Sequence, residues 1–225
     1  MLSDTQVERY SRQIVLPQVG GRGQVALLSA TVTIHGSSDL AEMAALYLAA
    51  AGVGHLRVSR PTAAAIEGLN PDCHLAVEEG RDPAIDGVRS GVVLCADAGA
   101  DTCAAVNAAC IAVHVPMIFG DAAAAVGRMG VCAGFEPHAP CYMCLSRSMG
   151  SASGSGAAPA PVNPFGNMTA GFIGTLLATE AMIILLRVRP SLTGRLVTFD
   201  ALAGEVYDVP APKDPRCTAC GGVHD

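Results

Sequence analysis

The sequence predicts an α/β chain: a parallel sheet covered by helices, followed by antiparallel strands toward the C-terminal end. Three observations carry this. TVTIHG (31–36) is a β-branched run closed by glycine, and a helical stretch and a second apolar run follow it within about 30 residues, the span of one βαβ unit. SGVVLCADA (90–98) and VPMIFGDA (115–122) are further apolar runs, separated by the small-residue helical stretch TCAAVNAACIAVH. RLVTFDALAGEVYDVPAP (195–212) has the form of a hairpin turning near Ala203–Gly204.

The 225 residues are 51% hydrophobic and 15% charged, which excludes global disorder. A net charge of −6 argues against a nucleic-acid surface, which needs clustered cations. The basic residues are thirteen Arg and a single Lys, Lys213. MLSDTQVERYSRQ carries no apolar signal core, and the nine cysteines are odd in number, so a cytoplasmic, reducing setting is expected.

Each element follows from local chemistry. Residues 4–14 are polar and helical. In SSDLAEMAALYLAAAGVGHLRV, Ser38 or Asp39 can N-cap a helix that Gly52 and Gly54 end before the second strand. Residues 61–90, with Pro61, Pro71 and Pro83, are expected to be irregular. RMGVCAGFEP is extended, and SMGSASGSGAAPAPVNPFG (148–166) is a flexible loop. Residues 169–187 form an apolar helix. Glu180 within it favours a buried helix over a membrane span. The organisation expected is one domain over 1–225: an N-terminal segment (1–30), the parallel part (31–135), and a C-terminal part (136–225).

The strongest local signal is CYMC (141–144) with CTAC (217–220). Each C-x-x-C turn sets two thiolates about one tetrahedral edge apart. Together Cys141, Cys144, Cys217 and Cys220 make a closed zinc shell, structural rather than catalytic. Two unrelated turns with free thiols, or a disulfide-exchange pair, are the alternatives. The turn IHGSSDLAEM (34–43) sits where a phosphate-binding glycine loop would lie. Only Gly36 remains there; Ser38 and Ala41 occupy the other glycine positions. Asp39 at the helix start stabilises the helix dipole but repels an anion. The turn therefore reads either as a plain packing turn or as a weak nucleotide site. Asp97, at the end of VVLCADA, could hold Mg²⁺ on a triphosphate or cap the next helix. Arg9 and Arg12 lie one turn apart on a short helix that is either solvated or a dimer contact.

Taken together, these residues resemble the ThiF/MoeB family, the bacterial relatives of ubiquitin-activating enzymes. ERYSRQIVLPQVGGRGQVALLSATVTIHG is similar to the family's opening, VVLCADA with Asn107 to its acidic segment and following helix, and the two cysteine pairs to its zinc knuckles. GTLLATEAMIILL and VTFDAL are similar to its closing helix and hairpin, so the resemblance covers almost the whole chain in order. It implies a Rossmann-like parallel sheet, a dimer built on residues 1–30, structural zinc, and ATP·Mg²⁺-dependent adenylation of the terminal carboxylate of a ubiquitin-fold sulfur carrier. In family dimers the Arg matching Arg12 reaches the partner's ATP site, which would make Asp97 and Arg12 catalytic. Gly36, Ser38, Asp39, Arg60 and Asp97 stand at the nucleotide-binding positions.

Several positions depart from the family. Arg60 stands where the family has an acidic residue for the ribose. The helix carrying an Arg and a Lys for the phosphates is expected to be deleted. Ala98 replaces an Asn, and the loop at 148–166 has no cysteine. Each lost phosphate contact is worth about 1.5–3 kcal/mol. The expectation is a non-catalytic or partner-dependent subunit that forms a homodimer, or a heterodimer with an active family member, and docks a carrier protein or peptide. The alternative is an active adenylyltransferase in which Arg57, Arg60 or Arg128 replaces the missing cations. A small-molecule binder that reuses the crevice is a third possibility. Neither nucleic acid nor membrane is expected as a partner.

Overall fold

The computed structural model describes residues 1–78, 91–149 and 164–221. Strands β1 (Thr31–His35), β2 (His55–Val58), β3 (His74–Val77), β4 (Val92–Ala96), β5 (Met117–Ala123), β6 (Val126–Cys132), β7 (Arg195–Asp200) and β8 (Glu205–Pro210) form one sheet in the order β3-β2-β1-β4-β5-β6-β7-β8. The pairs from β3 to β5 are parallel and those from β5 to β8 antiparallel, as the apolar runs and the hairpin predict. The helices are α1 (Asp4–Arg9), α2 (Ser11–Ile14), α3 (Gly20–Ser29), α4 (Asp39–Ala50), α5 (Arg60–Ile66), α6 (Ala100–Val113), α7 (Tyr142–Ser148) and α8 (Pro164–Leu186).

Two cores sandwich the sheet. On one face, Leu40, Ala44 and Leu48 of α4 meet Ile173, Leu177 and Ala181 of α8 over Val32, Ile34 and Leu94. The helices cross closely at Gly174, where a Cβ would lie 2.6 Å from the Leu40 carbonyl oxygen. On the other face, Val93, Cys95 and Phe119 meet Cys103, Val106 and Cys110 of α6 and Leu145 of α7. Because β1 crosses over to β2 and β4 to β5, the chain diverges between the adjacent strands β1 and β4. That divergence opens a crevice at their carboxyl ends.

The stretch expected to be irregular contains α5 and β3. Pro61 lies in the first turn of α5, where its missing N–H goes unused, and Ser59 is the N-cap. Pro71 precedes β3, which among the described residues is an edge strand bonded to β2. Pro83 lies outside the described residues. A helix therefore does follow β2, against the deletion expected there. Of the stretch 148–166 expected to be a flexible loop, Ser148 ends α7 and residues from Pro164 begin α8. Residues 150–163 lie outside the described residues.

By length and composition α8 could cross a membrane, yet it packs on α4, β5 and β6. Glu180 is buried and accepts hydrogen bonds from Leu192 N (2.5 Å) and Arg189 Nη2 (2.9 Å), so its charge ties the helix to the segment before β7. The N-terminal segment docks through a polar clasp around Asp72. Arg9 Nη1 and Tyr10 Oη donate to Asp72 Oδ2 at 2.7 and 3.0 Å, Gln6 donates to Oδ1, and Asn70 bonds both Tyr10 Oη and the Ala49 carbonyl.

Candidate functional site

The crevice is bordered by the β1–α4 turn and the end of β4. Gly36 has φ +127°, and a Cβ there would lie 1.9 Å from the Ala96 carbonyl oxygen. Only glycine lets the two backbones meet, so Gly36 closes the turn onto β4. Ser38 is the N-cap residue of α4, yet its side chain makes no capping bond. It lies beside the Asp97 carboxyl, its Oγ buried and short of hydrogen-bond geometry with any partner. Asp39 is the first residue of α4 and exposed, so it is not the cap that the sequence allowed. His35, the last residue of β1, also has a buried Nε2 without a partner among the described residues, and burial pushes its pKa down, which favours the neutral imidazole.

Asp97 does not cap α6, whose N-cap is Gly99. It turns at φ 52°; its N–H donates to the Gly120 carbonyl, and its Oδ1 accepts from Ala122 N at 3.0 Å. These bonds tie the end of β4 to the end of β5. Burial pushes the Asp97 carboxyl up. The Ala122 N–H and Ser38 oppose this, and the charges of Asp121 and Asp39 reinforce it.

From Asp97 a cavity of about 560 Å³ runs along the carboxyl ends of β4 and β5, on the α6–α7 side of the sheet. Its polar lining includes Asp121, Arg128, Tyr142, Ser146 and Arg147. Asp121 and Arg128 face each other across the β5–β6 hairpin and form a two-pronged ion pair: Nε to Oδ1 at 3.1 Å and Nη2 to Oδ2 at 3.0 Å. Burial raises the Asp121 carboxyl, and Arg128 pulls it back down. Burial also raises the Tyr142 phenol, which stays neutral; its ring tilts against Phe119.

The three arginines offered as replacement cations are thereby separated. Arg128 lines the cavity with Asp97. Arg57 is paired with Glu78 at 2.5 Å, on β2. Arg60 opens α5 at the end of β2, away from the lining of this cavity. Arg12 is exposed on α2, separated from Arg9 by the interruption between the two helices at Tyr10, and the fold does not bring it into the cavity of its own chain. The part played by Asp121 and Tyr142 was missed at the level of sequence. The available signal for Tyr142 was its place inside CYMC.

The four knuckle cysteines converge. Their sulfurs lie within 4.8 Å of one another, with Cys141–Cys144 at 3.9 Å and both Cys141–Cys217 and Cys144–Cys220 at 3.7 Å. Four thiolates about 2.3 Å from zinc form a tetrahedron with edges of about 3.8 Å, so the residues fit the ion. Backbone N–H groups point at the sulfurs, Asp214 N at Cys144 Sγ among them. Gly134 packs so tightly that a Cβ would lie 2.6 Å from Cys141 Cβ. The only lysine donates to the Gly134 and Glu136 carbonyls and pins this end. The first knuckle also opens α7, and Tyr142 N donates to the buried Asn107 Oδ1 at 2.8 Å. A metal here would hold one wall of the cavity.

Fold and site together define a Rossmann-like α/β protein with a crevice at the strand reversal and a four-cysteine end. The model of the ThiF family matches residues 63–219, and the chain belongs to that family. It is 32% identical to the SAMP-activating enzyme E1 of Haloferax volcanii, over 98% of this chain and 91% of that protein. It is 29% identical to the molybdopterin-synthase adenylyltransferase of Escherichia coli, over 98% of each. The crystal structure of E. coli MccB superposes with a TM-score of 0.72 at 16% identity, covering 95% of this chain and 74% of that one, a likeness of fold.

Proposed function

We propose that the protein is an ATP-dependent adenylyltransferase that activates the C-terminal carboxylate of a ubiquitin-fold sulfur carrier or a peptide. The observation that carries this is the cavity beginning at Asp97, at the strand reversal of a ThiF-family scaffold. That its relatives are named a SAMP-activating enzyme E1 and a molybdopterin-synthase adenylyltransferase supports the same chemistry. The acid would enter along β5 and meet ATP at the crevice. Its oxygen attacks the α-phosphorus, the bond to pyrophosphate breaks, and an acyl-adenylate forms. Asp97 would hold the Mg²⁺ that accompanies the nucleotide, with Arg128 as the fixed cation nearby. The buried walls would exclude water from the mixed anhydride.

Residues 1–30 would form a dimer contact and present Arg12 to a second subunit, and the four cysteines would hold structural zinc. Carrier-dependent ATP–pyrophosphate exchange tests the reaction, and Asp97→Ala should reduce it by about a thousandfold or more. Unchanged exchange in that variant would remove Asp97 from the mechanism.

A second reading has its own observation. Ser38 and Asp39 stand where backbone N–H groups would otherwise receive phosphates, and Arg60 stands in the acidic ribose position. These residues favour a subunit that docks a carrier while an active partner supplies the nucleotide site. It predicts exchange only when that partner is added.

A further inference from the structure

We propose that the Asp121–Arg128 pair reads the amide group preceding the carboxylate to be activated, and so selects acids that are peptide C-termini. The proposal rests on the adenylation assigned above. A guanidinium has five N–H donors, and Arg128 commits two of them, one on Nε and one on Nη2, to Asp121. The remaining donors and the free lone pairs of the Asp121 carboxylate stand side by side. One donor next to one acceptor is the complement of the C=O and N–H of a single peptide group.

The spacing agrees. Asp97 follows Ala96, the last residue of β4, and Asp121 follows its partner Gly120 on β5, the next strand, about 4.8 Å away. One extended residue advances the chain by about 3.3–3.6 Å. A terminal carboxylate beside Asp97 therefore places the amide before it at the pair. Along this path Ala100, Ala104, Ala122 and Ala123 are among the lining residues, small side chains that leave width for a peptide backbone. The pair's charges are held mostly out of water, with side chains 26% and 12% exposed, and a half-buried ion pair contributes little to stability by itself. A role in recognition accounts for its placement on the lining of the cavity rather than on the outer face of the hairpin.

The test is calorimetric titration of the full chain with three ligands. One is a tetrapeptide acid ending in Gly-Gly. The second is its analogue with the last amide N–H replaced by an ester oxygen. The third carries the ester one bond earlier. The last-bond ester is expected to bind about tenfold or more weakly than the peptide, because a hydrogen bond to a charged group is lost, while the earlier ester binds like the parent. In Asp121→Leu/Arg128→Met, an apolar pair of similar bulk, the discrimination should vanish.

Equal binding of the three ligands overturns the proposal, and this comparison needs only the unmodified chain. Discrimination that survives in the double variant, or no binding of the peptide at all, also overturns it. Pyrophosphate exchange separates the two claims. Discrimination without exchange defeats adenylation and leaves the amide reading intact. Exchange at equal kcat/KM for peptide and last-bond ester defeats the amide reading alone.

Discussion

At the cysteine end, four thiols lie 3.7–3.9 Å apart along their hydrogen-bonded contacts, backbone N–H groups face them, and a glycine and a lysine fix the surrounding loops. At the β1–α4 turn, Ser38 Oγ and His35 Nε2 are buried without partners, and a carboxylate occupies the first position of the helix. The first region is complete in itself once a metal is supplied. The second holds a His35 nitrogen that no described residue satisfies and a Ser38 hydroxyl set beside the Asp97 carboxyl, and buried polar atoms left short of partners are few in folded proteins. The contrast separates what the fold requires from what a ligand requires. The cysteine end supports one wall of the cavity, and the turn sets polar atoms beside Asp97 at the crevice.

The largest expected effect comes from breaking the complete region. A structural zinc contributes on the order of 10 kcal/mol. Chelation, or Cys144→Ser, should lower Tm by about 20 °C or more. It should also abolish peptide binding, because α7 and Tyr142 lose their anchor. Calorimetry of metal-loaded and chelated protein checks this; a Tm unchanged by full metal removal would show that the knuckles close without an ion.

Gly36→Ala comes next. Its Cβ would meet the Ala96 carbonyl oxygen at a φ that L-residues rarely adopt. The strain alone is about 1–3 kcal/mol before the clash is counted, so a fall in Tm of about 5–10 °C is expected. An unshifted melting curve would mean that the turn can separate from β4.

Asp39→Gly sharpens the contrast from the other side. Removing one like charge from the approach of the phosphates should tighten ATP·Mg²⁺ binding about fivefold. It should lower the melting temperature by about 2–5 °C, since Asp39 is exposed but its carboxylate favours the helix start and glycine does not. No change in nucleotide affinity would place the phosphates away from the α4 start.

How much of this was legible in the sequence depends on the range of the interaction. The sheet and hairpin are written in short apolar runs, and the zinc end in two C-x-x-C turns whose chemistry is local. The helix α5 was hidden because prolines read as breakers, although Pro61 sits in a first turn that tolerates it. The Asp121–Arg128 pairing was hidden because it depends on register. Ala124 turns at φ 52°, so a two-residue Ala-Ala turn sets residue 121 opposite 128, and no Gly or Asn announces it. The separation of Arg128 from Arg57 and Arg60 depends on strand order, with β1, β4 and β5 lying between β2 and β6, and that order follows from the assembled sheet.

The smallest expected effect concerns the titration of Asp97, and it tests whether this carboxyl belongs to the satisfied or the unsatisfied part of the site. Burial, with the charges of Asp121 and Asp39, raises its pKa from the ordinary carboxylate value despite the Ala122 N–H and Ser38. If the ionised form holds the metal on the nucleotide, the acid limb of the kcat/KM profile should be shifted upward from that of an ordinary carboxylate. Asp39→Asn should then move the limb to lower pH, because one like charge is gone. The stability effect has the opposite sense to that of a salt-bridged acid. A carboxyl raised in the folded state binds its proton more tightly there than in the unfolded chain, so its contribution is present below the unfolded pKa and is lost as pH rises through the folded one. Asp97→Asn, which keeps an oxygen for Ala122 N, should therefore melt slightly above the parent at neutral pH, and the advantage should shrink toward acid. A variant that melts below the parent at neutral pH would show that the charged carboxylate is already compensated, and the acid limb would then belong to another group.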